Sequence, residues 1–196
     1  MRQLGLRERT RLAVRREIAV TAEALFVERG FEATTIDDIA AAVGMSQRSV
    51  FRYFASKEAI VLGKFDLVAE QMIGVLRARP AGEPVWTSLH HVLGVLTAVA
   101  AEPGRDELVE PIHRMIFESP DLFAGYLQKL QVLQDALVQV LLERAPVAAD
   151  DPAPRALTGA AFACLVAAQR TWLASGAQSS FADAVERALA TVGPLG

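Results

Sequence analysis

Apolar residues recur at steps of three and four along almost the whole chain, while β-branched runs of period two are absent. That pattern predicts an all-α fold of about nine helices. The first is expected from about Thr10 to Arg29, with Val14, Ile18, Ala22, Leu25 and Phe26 on its inner face and Gly30 at its end. Two short helices follow, then a long one from Ser56 to about Arg77 carrying Ile60, Leu67, Val68, Met72 and Val75. The Arg79-Pro80-Ala81-Gly82 run breaks it. A fifth helix, from about Pro84 to Ala101, presents Trp86, Leu89, Leu93 and Leu96, and Pro103-Gly104 makes a turn. The sixth, from about Arg105 to Glu118, contains Pro111 and is expected to bend or restart there. Ser119-Pro120 reads as cap and first residue of a seventh, with Leu122, Tyr126, Leu130, Leu133, Leu137 and Leu141 on one face to about Arg144. A loop from Pro146 to Pro154 leads to a helix that starts at or just after Asp151 and ends near Gly176. Ser180 and Asp183 form a capping-box start for the last, Phe181 to Val192.

The densest stretch is Thr34 to Glu58, TTIDDIAAAVGMSQRSVFRYFASKE. Thr35 followed by Asp38 is a capping-box start, and Ile36, Ile39, Ala40 and Val43 give the next helix one apolar face. Gly44 stands where the chain must turn left-handed. Ser46 caps a second helix of about two turns with Val50 and Phe54 facing inward, and Ser56 caps a third. Two short helices around a tight glycine turn make a helix-turn-helix, whose second helix enters the DNA major groove.

In order and at matching spacing, Thr35, Ile39-Ala40, Gly44-Met45-Ser46, Tyr53-Phe54 and Lys57-Glu58 resemble the amino-terminal domain of the TetR family of transcriptional regulators. The resemblance covers about the first third of the chain. It implies a helix-turn-helix DNA-binding domain over 1–57, with its motif at 35–54, and a ligand-binding and dimerisation domain over 58–196. Ser46, Gln47, Arg48 and Ser49 then face the groove, and Arg48 is the expected base contact, since Arg to guanine is the commonest specific pairing. Thr35, Tyr53 and Lys57 are expected on phosphates. Three positions depart from the common pattern: Arg48 replaces a small residue, Met45 a Val, and Phe51 a Tyr whose hydroxyl often reaches phosphate. The resemblance also implies a homodimer through the last two helices, about 155–176 and 180–192. The small residues Ala156, Gly159, Ala160, Ala163, Ala167 and Ala174 suit close helix approach there. The fourth helix, joining the two domains, is the lever this arrangement implies.

Charge sharpens the division. Residues 1–57 hold ten Lys/Arg and seven Asp/Glu, a net of +3, and residues 58–196 hold ten and sixteen, a net of -6. A basic front and an acidic body fit a nucleic-acid-facing head. Arg2, Arg7, Arg9, Arg11, Arg15 and Arg16 form a basic amino-terminal arm and helix start, expected to add affinity through counterion release. Arginines throughout the first twenty residues leave no apolar signal segment, and the longest uncharged apolar stretch, Ala156 to Ala168, is too short for a bilayer. The single cysteine, Cys164, sits in an apolar run and reads as a small core residue. With no disulfide possible within the chain, a reducing cytoplasm is expected.

Catalysis finds little support. His90 and His91 are adjacent and diverge by about 100° on a helix. Glu110-Pro111-Ile112-His113 is a lone E-x-x-H, where a bundle di-iron site needs two. No phosphate loop or nucleophile elbow is present, so no enzyme activity, cofactor or metal is expected. The body does carry apolar residues with sparse polar groups, the makings of a ligand pocket. Trp86, His90, His113, Phe117, Tyr126, Gln169 and Arg170 are the candidates, with Arg114 beside them. The opening GLRERTRLAVRREI and the QRSVFRYF core also resemble a TetR subgroup with an acyl-CoA-like ligand-binding body. That implies a small apolar effector of the long-chain acyl-CoA class acting on a homodimeric repressor. Two alternatives stay open: a helical small-molecule binder or acyl-thioester enzyme without specific DNA binding, and a membrane-surface module using the basic helix 7–29.

Overall fold

The computed structural model describes residues 5–101, 106–144, 148 and 150–193. Arg2, the Pro103-Gly104 turn, Arg105 at the expected start of the sixth helix, and Pro146 lie outside the described residues. Among the described residues the chain forms nine α-helices and no strand. They are α1 (Leu6–Arg29), α2 (Ile36–Ala42), α3 (Gln47–Phe51), α4 (Lys57–Ala78), α5 (Val85–Ala100), α6 (Asp106–Glu118), α7 (Pro120–Arg144), α8 (Ala153–Ala174) and α9 (Phe181–Val192). The capping residues explain most of these starts. The Thr35 hydroxyl accepts from the Asp38 N–H and the Asp38 carboxylate accepts from the Thr35 N–H, a complete capping box. Ser46, Ser56, Ser119 and Ser180 each accept from the backbone three residues on.

Two expectations need correction. α1 starts at Leu6, ahead of Thr10, because the arginines between are good helix formers and the Thr10 hydroxyl bonds back to the Leu6 carbonyl at 2.9 Å instead of capping. α6 does not restart at Pro111: it is one element with Pro111 inside it. Leu67, one of the apolar residues of α4, is 46% exposed.

The chain divides into two compact units, Met1–Lys64 and Phe65–Gly196, and α4 belongs to both. In the first, Ile18, Ala22, Phe26, Ile39, Val50 and Phe54 are buried together with Ile60 and Val61. Gly44 closes the turn after α2 with φ +67°, and the next N–H, of Met45, donates to the Ala40 carbonyl at 2.8 Å. Gly63 lies against Phe54: a Cβ there would stand 3.0 Å from the Phe54 ring. The other constraint on that ring is the Arg15 guanidinium, 4.7 Å from its centroid. Buried Glu23 pairs with Lys64 at 3.0 Å.

In the second unit α8 packs against α5, α6, α7 and α9. The α7 face expected from spacing is buried throughout, from Leu122 to Leu141. Lys129 on α7 pairs with Asp66 on α4. Arg79 forks onto Glu83, which also accepts from Ser88 Oγ at 2.6 Å, and Arg144 reaches Ser88 and the Pro80 carbonyl. Trp172 Nε1 donates to the Ser179 carbonyl at 2.8 Å, bracing the α8–α9 turn. Cys164 is buried and burial pushes its thiol up, which suits an inert core residue. No helix among the described residues is long and apolar enough to cross a membrane.

Candidate nucleic-acid interface and ligand site

α2, the Gly44 turn and α3 form the helix-turn-helix. Burial of Val50 and Phe54 turns the opposite side of α3 outward, leaving Ser46, Gln47 and Arg48 exposed in consecutive positions. Ser49 is half-buried, its Oγ 2.9 Å from Ser46 Oγ. Phe51 is 45% exposed, an uncovered aromatic ring on an otherwise polar surface.

Two residues expected on phosphates have inward commitments as well. Lys57 Nζ donates to the Phe31 carbonyl at 2.8 Å and lies 4.4 Å from the Phe31 ring centroid, which uses one of its three N–H bonds. The Thr35 hydroxyl is held by Asp38, and these hydrogen bonds from Thr35 lower the Asp38 carboxyl below its ordinary value. Tyr53 is half-buried after the end of α3. Sequence reasoning missed Thr34, which is fully buried and donates to the Gly30 carbonyl at 2.8 Å. It also passed over Arg52, the exposed C-cap of α3.

In the body, four of the seven ligand candidates come together. Tyr126 and Gln169 form a buried polar pair, O to N 2.8 Å and O to O 3.1 Å. Burial pushes the Tyr126 phenol well above its ordinary value. The Tyr126 ring meets Phe117 at 6.1 Å and Phe65 at 5.0 Å. Exposed Arg170 lies over both Phe117 and Phe123, 5.4 and 4.8 Å from their centroids. Phe65 and Phe123 were missed, although Phe123 stands three residues before Tyr126 on the same helix face.

The other three have different partners. His113 donates Nδ1–H to the Val109 carbonyl, 2.7 Å away, and packs against Trp172 and Phe181. His90 Nε2 meets Glu186 at 2.7 Å across α5 and α9. Trp86 Nε1 would stand 3.2 Å from a Cβ on Gly193, so the indole packs on the end of α9. Arg114 is exposed and paired with Glu110 and Glu118 on its own helix. Among the described residues no three His, Cys, Asp or Glu side chains are grouped to hold a metal ion.

With this geometry in place, the comparisons decide the family. Residues 18–63 match the bacterial regulatory proteins of the tetR family, and residues 83–194, more than half of the chain, match the MftR C-terminal domain. The chain belongs to the TetR family. A TetR-family chain with this head is a ligand-responsive, DNA-binding transcriptional regulator of the repressor type. It is 32% identical over 155 residues to the HTH-type transcriptional regulator TcmR of Streptomyces glaucescens, spanning 75% of this chain and 67% of that protein. Two solved TetR-like structures share its fold. FadR of Thermus thermophilus, a repressor in complex with lauroyl-CoA, has 22% identity and a TM-score of 0.57, covering 90% of this chain and 91% of its own. FadR of Bacillus subtilis, in complex with stearoyl-CoA, has 16% identity and a TM-score of 0.63, covering 89% and 95%.

Proposed function

We propose that this TetR-family regulator is a homodimeric repressor that reads its operator with Gln47 and Arg48 and is released by a small apolar effector. Residues 1–57 carry the DNA contacts and residues 58–196 the effector site and the dimer contacts. The observation that carries the reading is the first turn of α3, where a capped, exposed Gln-Arg pair stands on a helix anchored by buried Val50. Gln suits adenine and Arg suits guanine in the major groove. Phe51, which lacks a hydroxyl, offers an apolar contact to a thymine methyl. Tyr53, Lys57 and Thr35 set register on phosphates, Thr35 after its hydroxyl is released from Asp38. A dimer holds two such helices for grooves about 34–36 Å apart or at multiples of that turn.

The effector class favoured is a long-chain acyl-CoA. Its support is the Phe65, Phe117, Phe123 and Tyr126 cluster, with the Tyr126–Gln169 pair inside and the Arg170 cation at its edge. An acyl chain would meet the rings and an anionic group the guanidinium. Release follows if the effector prefers the dimer state whose helices no longer match the grooves, to the extent of its differential affinity. The test is fluorescence anisotropy on duplex from the region upstream of the coding sequence, against scrambled duplex, with and without palmitoyl-CoA and oleoyl-CoA. Tight binding to the first duplex alone, weakened by either thioester, is expected. Equal binding to both duplexes removes the operator reading, and unchanged affinity with no calorimetric heat removes the acyl-CoA reading.

A further inference from the structure

We propose that Asp66 and Lys129 form a latch that holds α4 against the effector site, and that an effector lodged among the rings opens it by displacing Phe65. The latch rests on the reading of an effector-released repressor and names what governs the release. α4 runs unbroken from the first compact unit into the second, whose first residue is Phe65. Two consecutive residues there fasten it to α7. The Phe65 ring meets Tyr126, centroids 5.0 Å apart, and the Asp66 carboxylate accepts from Lys129 Nζ. Tyr126 and Lys129 stand three residues apart, which puts them side by side on α7.

The candidate site converges on Tyr126. It is bonded to Gln169 on α8 and meets Phe117 on α6, whose ring lies 5.0 Å from Phe123. Phe65 is the member of this cluster that α4 supplies. Packed rings leave little slack, so a guest among them has to move one. Tyr126 is buried and held by its hydrogen bonds to Gln169, while Arg170 lies over both Phe117 and Phe123. Phe65 is half-buried, and the ion pair beside it is exposed: Asp66 by 55% and Lys129 by 31%. Phe65 is therefore the ring that yields, and α4 moves with it.

Magnitudes decide which end of this stretch of α4 gives way. At the far end Arg79 forks onto Glu83, Glu83 accepts from the fully buried Ser88, and Arg144 from the end of α7 reaches Ser88 and the Pro80 carbonyl. Opening that clip would strand buried polar groups, which is costly. At the near end water solvates both partners once the ion pair opens, and an exposed pair shifts an equilibrium by no more than about fivefold. α4 therefore stays fixed at the connector 79–83 and lifts at 65–66. A latch of that strength biases the operator-binding state and still yields to a ligand that prefers the other.

The test compares four full-length proteins: wild type, D66N, K129M and the charge-swapped D66K/K129D, each checked for helical content by circular dichroism. Amide hydrogen exchange on the unliganded chain reads the latch without DNA or effector. Exchange over 65–71 should quicken at least about twofold in D66N and K129M, return in the swap, and stay unchanged over 79–88. Anisotropy on the upstream duplex and calorimetry with palmitoyl-CoA read its consequence. Opening the latch moves population between two states, so operator affinity falls while thioester affinity rises. The two fold-changes multiply to the worth of the latch, about two to five, and the swap restores both. Unchanged exchange at 65–71, or an equal rise over 79–88, overturns the latch. So does a single variant that weakens both ligands, which is damage to the fold instead of a shift, or a swap that restores neither. If palmitoyl-CoA gives no heat with wild type while exchange behaves as expected, the acyl-CoA reading fails and the latch stands. If wild type does not prefer the upstream duplex to a scrambled one, the operator reading fails and the latch, as a governor of release, fails with it.

Discussion

Tyr126 and Gln169 show how much can rest on one pair of side chains. Both are buried, and each satisfies the other. Tyr126→Phe leaves the Gln169 amide buried without that partner and should destabilise the body by about 1–3 kcal/mol in denaturant melts. The double variant Tyr126→Phe with Gln169→Leu should recover part of the loss, because no polar group is then stranded. Glu83 makes a pH-dependent contribution. The Arg79 guanidinium, then Ser88, hold its carboxyl at about 2, against an ordinary value of 4.5. A depressed carboxyl stabilises fully above its unfolded value and loses that effect as pH falls toward the folded one. Thermal melts should therefore show a stability loss between about pH 4.5 and about pH 2 that Glu83→Gln lacks. At this scale the capping residues were legible, since Thr35, Ser46, Ser56 and Ser180 act on backbone three positions away. Lys57 was legible only in part, because its partner Phe31 lies 26 residues back in the chain and is set by tertiary packing.

Among the elements, α3 is short and depends on its neighbours to hold Gln47 and Arg48 in place. Arg48→Ala removes the proposed base contact and should cost about 1–3 kcal/mol per half-site on the operator while leaving scrambled duplex nearly unaffected. Competition anisotropy reads both, and an equal loss on the two duplexes would make Arg48 a phosphate ligand instead. The helices themselves were readable because their apolar faces keep the 3.6-residue period, and α7 follows it from Leu122 to Leu141. The start of α1 was not, since arginines extend a helix as readily as they fill an arm. Pro111 misled for a related reason: proline gives a local tendency to end a helix, and α6 continues through it as one element.

For the whole molecule, the contrast of basic head and acidic body was visible in composition. The proposed ligand site was less readable. Its members come from α4, α6, α7 and α8, and no spacing rule relates Phe65 to Arg170. The proposed dimer is testable at this scale. Ala156, Ala163, Ala167 and Ala174 are exposed along α8, a strip smooth enough for a second copy to approach. Ala163→Glu with Ala167→Glu should shift sedimentation toward monomer and abolish preference for the operator, with the helical content of each chain retained. A dimer that survives both changes would place the interface elsewhere.

Gly63 links this chemistry to descent. Its missing side chain leaves room for the Phe54 ring, which Arg15 covers, so a methyl group at 63 would require that ring to give way by a few tenths of an ångström. Lineages of this regulator should therefore change positions 54 and 63 together: a branch that acquires alanine at 63 should already carry something slimmer than phenylalanine at 54. The order of those replacements, reconstructed along a phylogeny, would record which ancestors could tolerate the step.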